Sequence, residues 1–339
     1  MKSQEEEAHV DSAEGSVFAD MAPFRIEPRF VGRVWGWKDL HPWYDRAAKG
    51  EPIGEVWLTG DDCQIATGPH SGKTLGETFK EMAKALLGED ATSNDSPLLI
   101  KIIFAREKLS VQVHPDDRLA QEYGQPRGKT ECWYALAAEP DAQVAVGLKP
   151  GVTLDAVKVA IENGTLEESL NMVPVRAGEL IFVDAGTVHA IWPGSVLLET
   201  QQNSDITYRM YDYGRGRELH IEKSLEATRP VTAAGKVAPG ILADRTVLVD
   251  SKYFSIEKIP VEVSRSSESL RRSTDSKVGL AYLFAAAGSG RLSSPSFASV
   301  DLPPRGIVAV PAVSPVFAIQ DLGGLDLIRI TQGSPEKAA

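Results

Sequence analysis

The chain has 339 residues, of which 42% are apolar and 24% charged, and its formal net charge is -11; this is the composition of a globular protein with room for two domains. The acidic balance disfavours nucleic acid as a partner, and no apolar run reaches the roughly 18 residues of a membrane helix. The two cysteines, Cys63 and Cys132, are too few for a disulfide framework, which favours a cytoplasmic location.

The first part of the chain predicts a tail, a strand and a helix. Residues 1–20 are acidic and polar, and we expect them to be disordered. Residues 55–60 are rich in β-forming side chains and end in a Gly-Asp-Asp turn signal. A helix is predicted near residues 74–88, because Thr74 and Glu77 have the spacing of a capping box.

An apolar run over residues 97–105 is interrupted by one lysine, Lys101. Its β-branched residues and the preceding proline favour a buried strand. A lysine inside such a strand must reach water, a partner or a ligand. The sequence does not choose among these.

Polar side chains alternate along the next strand. Ser110, Gln112 and His114 are two residues apart, so they share one face of a strand. Such a row lines a pocket or faces solvent. The next strand, over residues 130–137, carries Glu131, and a glycine turn after a further strand leads to His189.

The remaining pattern is mainly β. A helical segment is predicted near residues 154–170, from apolar side chains at spacings of three and four. Beyond about residue 235 short strands recur with turn signals between them. We therefore expect one domain over residues 21–235 and a second, smaller β-domain over residues 236–335.

Four residues in these strands offer nitrogen and oxygen ligands: Gln112, His114, Glu131 and His189. Imidazole together with carboxylate suits zinc, with iron and manganese as competitors. Neighbouring strands can hold ligands from distant positions side by side. The sequence therefore predicts one metal ion per chain, most simply Zn²⁺. His41, His70 and His220 lack this strand context and are left out.

Four stretches, in this order, closely resemble type I mannose-6-phosphate isomerase (phosphomannose isomerase) in its short bacterial form: SVQVHPDD, GKTECWYAL, VPVRAGELIFVDAGTVHAI and LETQQNSDITYRMYDYGR. The resemblance covers about residues 23–224 and fits the C-terminal part only loosely. It implies a cupin-like jelly-roll barrel with a short helical insertion. It also implies a zinc-dependent interconversion of mannose 6-phosphate and fructose 6-phosphate, with a small sugar phosphate as the partner molecule and a monomer or weak homo-oligomer as the assembly.

The resemblance also places functional residues. The family's metal positions fall on Gln112, His114, Glu131 and His189, its active-site arginine on Arg209, and the lysine before the metal-binding glutamate on Lys129. Many larger members have His-Lys-Pro-Glu where this chain has Gly-Lys-Thr-Glu, so a role given to that histidine does not transfer.

An aldose–ketose isomerase moves a proton between C2 and C1 through a cis-enediol and needs a general base. Lys129 and Asp205 are the candidates, and Glu199 stays open. Arg209 is permanently cationic and can stabilise developing negative charge or orient hydroxyl groups. Ser110 and Lys101 are assigned to the phosphate.

Two other functions use the same ligands. One is a different metal-dependent cupin, an Fe²⁺ oxygenase with two histidines and a carboxylate. The other is a non-catalytic sugar-phosphate-binding cupin. Lys129 and Arg209 favour the isomerase over the binding protein, since a binding module needs no base.

Overall fold

The computed structural model describes residues 21–262, 264–270 and 279–334. The predicted disordered tail over residues 1–20 therefore lies outside the described residues. As far as residue 211 the strands are β1 (Phe24–Ile26), β2 (Arg29–Trp37), β3 (Ile53–Trp57), β4 (Leu98–Phe104), β5 (Val111–Val113), β6 (Glu131–Ala138), β7 (Gln143–Leu148), β8 (Leu170–Pro174), β9 (Leu180–Val183), β10 (His189–Ile191), β11 (Ser195–Gln202) and β12 (Tyr208–Tyr211).

The rest of the chain continues in strands. They are β13 (Gly235–Val237), β14 (Gly240–Ile241), β15 (Thr246–Asp250), β16 (Phe254–Ile259), β17 (Ser264–Ser266), β18 (Ala281–Ala287), β19 (Gly290–Ser294), β20 (Phe297–Leu302), β21 (Ile307–Val310), β22 (Ala318–Asp321) and β23 (Asp326–Gln332). The helices are α1 (Leu75–Leu87), α2 (Asp117–Glu122), α3 (Leu154–Glu162) and α4 (Ile221–Ala227), with short 3-10 turns at Leu166–Ser169 and Ser267–Leu270.

In the described residues the strands form four antiparallel sheets. Sheet I has the order β13-β9-β6-β11-β4-β3-β2, and sheet II has the order β12-β5-β10-β7-β8. Sheet III, β1-β21-β18-β23-β16-β15-β14, and sheet IV, β17-β22-β19-β20, are built mostly from the C-terminal part. The prediction of a mainly β fold is confirmed, although in the described residues the strand hydrogen bonds do not close sheets I and II into a barrel.

Sheet I is covered on both faces, which explains the apolar run of β4. Ile100, Ile102 and Phe104 point to one face and pack with side chains of sheet III and α1. Ile103 points to the other face and packs with residues of sheet II. All seven residues of β4 are buried, and each large apolar side chain buried in this way contributes roughly 1.5–3 kcal/mol. The C-terminal strands therefore share a hydrophobic core with sheet I.

Helices form in both of the segments for which the sequence predicts them. In α1, the Thr74 side chain accepts a hydrogen bond from the Glu77 backbone N–H, and the Glu77 carboxylate accepts one from the Thr74 N–H, which is the capping box expected from the sequence. In the predicted 154–170 segment, α3 ends at Glu162, a 3-10 turn follows, and Leu170 begins β8. Val157 and Ile161 of α3 pack against the outer face of sheet II.

The predicted domain boundary near residue 235 stays a prediction. β1, from the N-terminal part, pairs with β21 in sheet III, so the sheets do not divide the chain at one position. No helix of the described residues is both long enough and apolar enough to cross a membrane.

Candidate metal centre and active-site cavity

Three buried side chains converge between sheets I and II. His114 follows β5, Glu131 begins β6 and His189 begins β10, and each is only 1% exposed. Nε2 of His114 lies 3.5 Å from Oε2 of Glu131, and Nε2 of His189 lies 3.4 Å from Oε1 of Glu131. One ligand atom from each residue lies within 4.8 Å of the others. Two imidazoles and one carboxylate at this spacing can hold a transition-metal ion.

Both histidines are held neutral, with a lone pair turned toward this centre. Burial lowers the pKa of His189 to about 4, and burial together with the Lys129 ammonium lowers the pKa of His114 well below its usual value. The Nδ1–H of His189 donates to the backbone oxygen of Thr187 over 2.8 Å, which leaves Nε2 without a proton. This is the state in which an imidazole binds a metal.

A cation already lies against these donor atoms. The Lys129 ammonium is 3.0 Å from His114 Nε2 and 2.9 Å from Glu131 Oε2. The donor set of two imidazoles and one carboxylate fits a divalent transition-metal ion.

Gln112 lies beside the three residues, in the middle of a row that crosses sheet II. The strand register places it opposite His189 of β10 on one side and opposite Arg209 of β12 on the other. Its amide Nε2 is 3.2 Å from His189 Nε2, and its Oε1 accepts from Ser110 Oγ over 3.4 Å. In this arrangement the amide oxygen is bonded to Ser110.

A second row of charges crosses sheet I. Lys101 of β4 lies opposite Glu199 of β11 in the strand register, and its Nζ is 3.4 Å from Glu199 Oε2 and 3.5 Å from Glu55 Oε1. Glu55 also accepts from Arg33 over 2.8 Å. Lys129 completes the row, because its Nζ is 3.6 Å from Glu199 Oε1.

The carboxylates of this row have opposite pKa shifts. Burial raises the pKa of Glu199, and the neighbouring Glu131 carboxylate raises it further. Burial alone would also raise the pKa of Glu55, but Lys101 and Arg33 bring it down to about 2. Glu55 is therefore a fixed negative charge, whereas Glu199 can exchange a proton near neutral pH.

A cavity of about 490 Å³ opens between the two rows. The predicted residues that line it are Lys101, Ser110, Gln112, Lys129, Glu131, Asp205 and Arg209. This volume is within the usual range for small-molecule sites. The structure thus brings these seven predicted residues to one cavity. Their burial differs, because Asp205 is exposed while Lys101 and Lys129 are buried.

Arg209 is held from its backbone and from its side chain. Its backbone N–H donates to Nδ1 of His220 over 3.2 Å, and its Nη1 donates to the backbone oxygen of Glu218 over 2.9 Å. His220, which sequence patterns gave no reason to select, therefore contacts the backbone of the predicted active-site arginine. It directly precedes helix α4 and does not lie in a strand, so strand spacing could not identify it.

Lys101 was assigned to the phosphate, and its contacts give a different explanation for its place in β4. Burial would lower its pKa, but Glu199 and Glu55 raise it above the usual value. The two carboxylates neutralise the charge of this ammonium, which weakens its attraction for a phosphate. The phosphate role of Lys101 stays a prediction, one that these ion pairs do not favour.

Sequence reasoning missed four charged residues of the cavity wall: Arg33, Glu51, Glu55 and Arg217. The sequence did contain a signal for Glu55 and Glu199. Each is a charged residue inside a run of β-forming residues, the same pattern that drew attention to Lys101. Their pairing with Lys101 depends on strand order, which the sequence does not show.

Comparison with known proteins gives one family. A model of the phosphomannose isomerase type I catalytic domain matches residues 25–149. The chain is 36% identical over 258 residues to the probable mannose-6-phosphate isomerase GmuF of Bacillus subtilis, a match over 70% of this chain and 79% of the relative. It is 35% identical over 253 residues to mannose-6-phosphate isomerase of Streptococcus mutans, over 70% of this chain and 78% of the relative.

A solved structure is similar over nearly the whole chain. The mannose 6-phosphate isomerase from Bacillus subtilis superimposes with a TM-score of 0.80 at 29% identity, covering 91% of this chain and 99% of that one. Phosphomannose isomerase from Salmonella typhimurium, in a variant form, has the same fold at 18% identity, with a TM-score of 0.74 over 92% of this chain and 99% of that one.

Proposed function

The chain belongs to the type I mannose-6-phosphate isomerase family and is an aldose–ketose isomerase of that class, and we propose that it works with one Zn²⁺ and through a cis-enediol. Mannose 6-phosphate and fructose 6-phosphate are the substrate pair. The observation that carries the proposal is the convergence of His114, Glu131 and His189 at one end of a charged cavity.

We propose His114, Glu131 and His189 as the residues that hold the metal, with Gln112 as a further ligand. Bound there, zinc would supply Lewis acidity for the negative charge that develops on the sugar oxygens. Arg209 lies two strands from His189, in the same row of sheet II. Its permanent charge faces the same cavity and would orient the hydroxyl groups or share the stabilisation of that charge.

The proton transfer is assigned to Lys129 and Glu199. Both are buried in the cavity wall and their charged atoms lie 3.6 Å apart. A carboxyl group with a raised pKa, as in Glu199, is suited to accept and return a proton near neutral pH. Asp205 remains a candidate base, but its carboxylate is exposed to solvent, whereas Lys129 and Glu199 are buried.

Lys101, which is paired with Glu55, would hold the Glu199 carboxylate in position. The two ion pairs of Lys101 fix the Glu199 carboxylate in the wall. Ser110 remains our assignment for the phosphate end, since its hydroxyl lines the cavity. A monomeric or weakly oligomeric state and a cytoplasmic location also remain predictions.

The test is a coupled assay of mannose 6-phosphate isomerisation on protein whose metal content is measured first. We expect turnover that is lost on chelation and restored by zinc. Turnover that survives complete removal of the metal would overturn the zinc proposal. Iron as the purified metal, with oxygen uptake in place of isomerisation, would favour the oxygenase alternative.

A further inference from the structure

Asp117 does not cap helix α2, although its position suggests that it does. The cap is Asp116, whose Oδ1 accepts from the Leu119 N–H over 2.8 Å. The Asp117 carboxylate points elsewhere. Its Oδ1 accepts from the backbone N–H of Gly128 over 2.9 Å and from Nε2 of Gln202 over 2.9 Å.

The other oxygen of Asp117 reaches the C-terminal part of the chain. Oδ2 accepts from the hydroxyl of Tyr253 over 3.0 Å, across 136 positions of sequence. Burial and the nearby Asp117 carboxylate raise the pKa of Tyr253, so its hydroxyl keeps the proton that it donates. Three donors thus converge on one half-buried carboxylate, and a charged acceptor makes each of these hydrogen bonds stronger than a neutral pair.

The bond from Gly128 to Asp117 is one of several hydrogen bonds that fix a segment of four residues, 128–131. The Lys129 N–H donates to the Pro115 oxygen over 3.1 Å. The Thr130 N–H donates to Oε1 of Gln202 over 2.9 Å, and the Gln202 N–H donates back to the Thr130 oxygen over 3.1 Å. Gln202, itself bonded to Asp117, therefore holds the segment from its other side.

The segment also lies unusually close to the turn before α2. A Cβ atom added to Gly128 would lie 2.5 Å from the carbonyl carbon of Asp116 and 2.5 Å from the Pro115 oxygen. Only glycine allows the two backbones to approach in this way. The segment that carries Lys129 and leads into β6 at Glu131 is thereby joined to the turn that follows His114.

We propose that Asp117 is a positioning residue, through which Tyr253 of the C-terminal region holds Lys129 in its reactive geometry. The inference rests on the proposed function, because that function gives Lys129 a part in the proton transfer. On this proposal the C-terminal strands contribute to catalysis indirectly. They hold the segment that carries Lys129 in place through the hydroxyl group of Tyr253.

The first test compares Tyr253→Phe with Tyr44→Phe. Each change removes one hydroxyl, and the Tyr44 hydroxyl also bonds across to the C-terminal part, to the Arg305 oxygen at 2.8 Å. Tyr44 does not contact the segment 128–131 through that bond. We expect kcat to fall about tenfold in Tyr253→Phe and less than twofold in Tyr44→Phe, because a small displacement of a catalytic group costs up to about 100-fold.

The second test uses Asp117→Asn and Asp117→Ala. Asparagine keeps an oxygen for the Gly128 N–H but cannot accept from all three donors, whereas alanine accepts from none. We expect kcat to decrease in the order wild type, Asp117→Asn, Asp117→Ala, with KM changed less than twofold and zinc content unchanged. Amide hydrogen exchange of the peptide containing residues 128–131 should accelerate in the same order.

Unchanged kcat together with unchanged amide hydrogen exchange of residues 128–131 in Tyr253→Phe would overturn the proposal. If Asp117→Ala fails to fold, Tyr253→Phe by itself is the test. Loss of zinc in proportion to kcat would also overturn it, since the residue would then act on the metal site and not on the lysine. If the wild-type protein does not isomerise mannose 6-phosphate, the proposed function fails; the exchange measurements still report separately whether Asp117 and Tyr253 fix the segment.

Discussion

Gln112 and His189 lie directly opposite each other on neighbouring antiparallel strands, and their side-chain Nε2 atoms are 3.2 Å apart. The amide N–H of Gln112 donates to the lone pair of His189 that a metal ion would use. Gln112 can therefore bind the metal only if its amide turns to present the oxygen that Ser110 now contacts. This makes Gln112 a weaker candidate ligand than the two histidines and Glu131.

That difference gives a prediction about metal affinity. We expect His114→Ala and His189→Ala to lose stoichiometric zinc. Gln112→Ala should bind it about 10–100-fold more weakly, the usual effect of losing a supporting residue. Zinc is measured by elemental analysis after dialysis against buffers of defined free zinc. His41→Ala, on an exposed histidine, is the control. Full zinc occupancy in both buried-histidine variants would exclude this ligand set.

Arg209→Ala should separate catalysis from metal binding. Removing a cation that stabilises developing negative charge costs about 100–1,000-fold in kcat, while zinc content should stay at the wild-type level. Arg209→Lys keeps the charge but loses the planar fork, so we expect only partial recovery. Steady-state kinetics and metal analysis on the same samples provide the check.

The control for that experiment is Arg118→Ala. Arg118 is an exposed arginine paired with Glu122 within one helix, and its removal should leave kcat within twofold of wild type. Full activity in Arg209→Ala would rule out a catalytic role for Arg209.

The Lys101–Glu199 pair predicts a stability coupling. Removing one partner leaves a buried charge without compensation, which costs about 3–5 kcal/mol. Lys101→Met alone should therefore be strongly destabilising, whereas Lys101→Met combined with Glu199→Gln should cost less than the sum of the single changes by about 1 kcal/mol or more. Urea unfolding of the four proteins measures this difference. Additive effects would mean that Glu55, not Glu199, is the partner that matters for Lys101.

The depressed pKa values of the two histidines predict how stability depends on pH. In the unfolded chain both histidines take up protons near pH 6.5, whereas folded His189 does so only near pH 4 and folded His114 well below its usual value. The unfolded state therefore binds more protons between these limits, so stability is fully present above about pH 6.5 and is lost as pH falls toward 4.

Denaturant unfolding of the metal-free protein at several pH values checks this expectation. Bound zinc should release over the same range, since protonated imidazole cannot bind it. His41→Gln, at an exposed position, should follow the wild-type curve. A free energy of unfolding that is constant between pH 6.5 and 4.5 would contradict the buried, neutral state of the histidines.

Much of the local structure follows from nearby residues. The helix at Leu75–Leu87 begins at Thr74 because Thr74 and Glu77 satisfy each other's backbone groups. Ser110 and Gln112 reach the same cavity because strand side chains alternate. The mainly β fold and the donor types of the candidate metal centre follow from the same short stretches.

Only the tertiary structure decided which charges meet. The sequence marks Lys101 as unusual, but its partner Glu199 lies 98 positions away and is opposite it only because β4 pairs with β11 in one particular register. Asp117 is the first residue of α2, yet its carboxylate accepts from Gly128, Gln202 and Tyr253, which lie 11, 85 and 136 positions away. The physical reason is the same in both cases. Local sequence fixes the direction of a side chain, whereas its neighbours are fixed by strand order and register, which depend on how the apolar faces of all the sheets pack together.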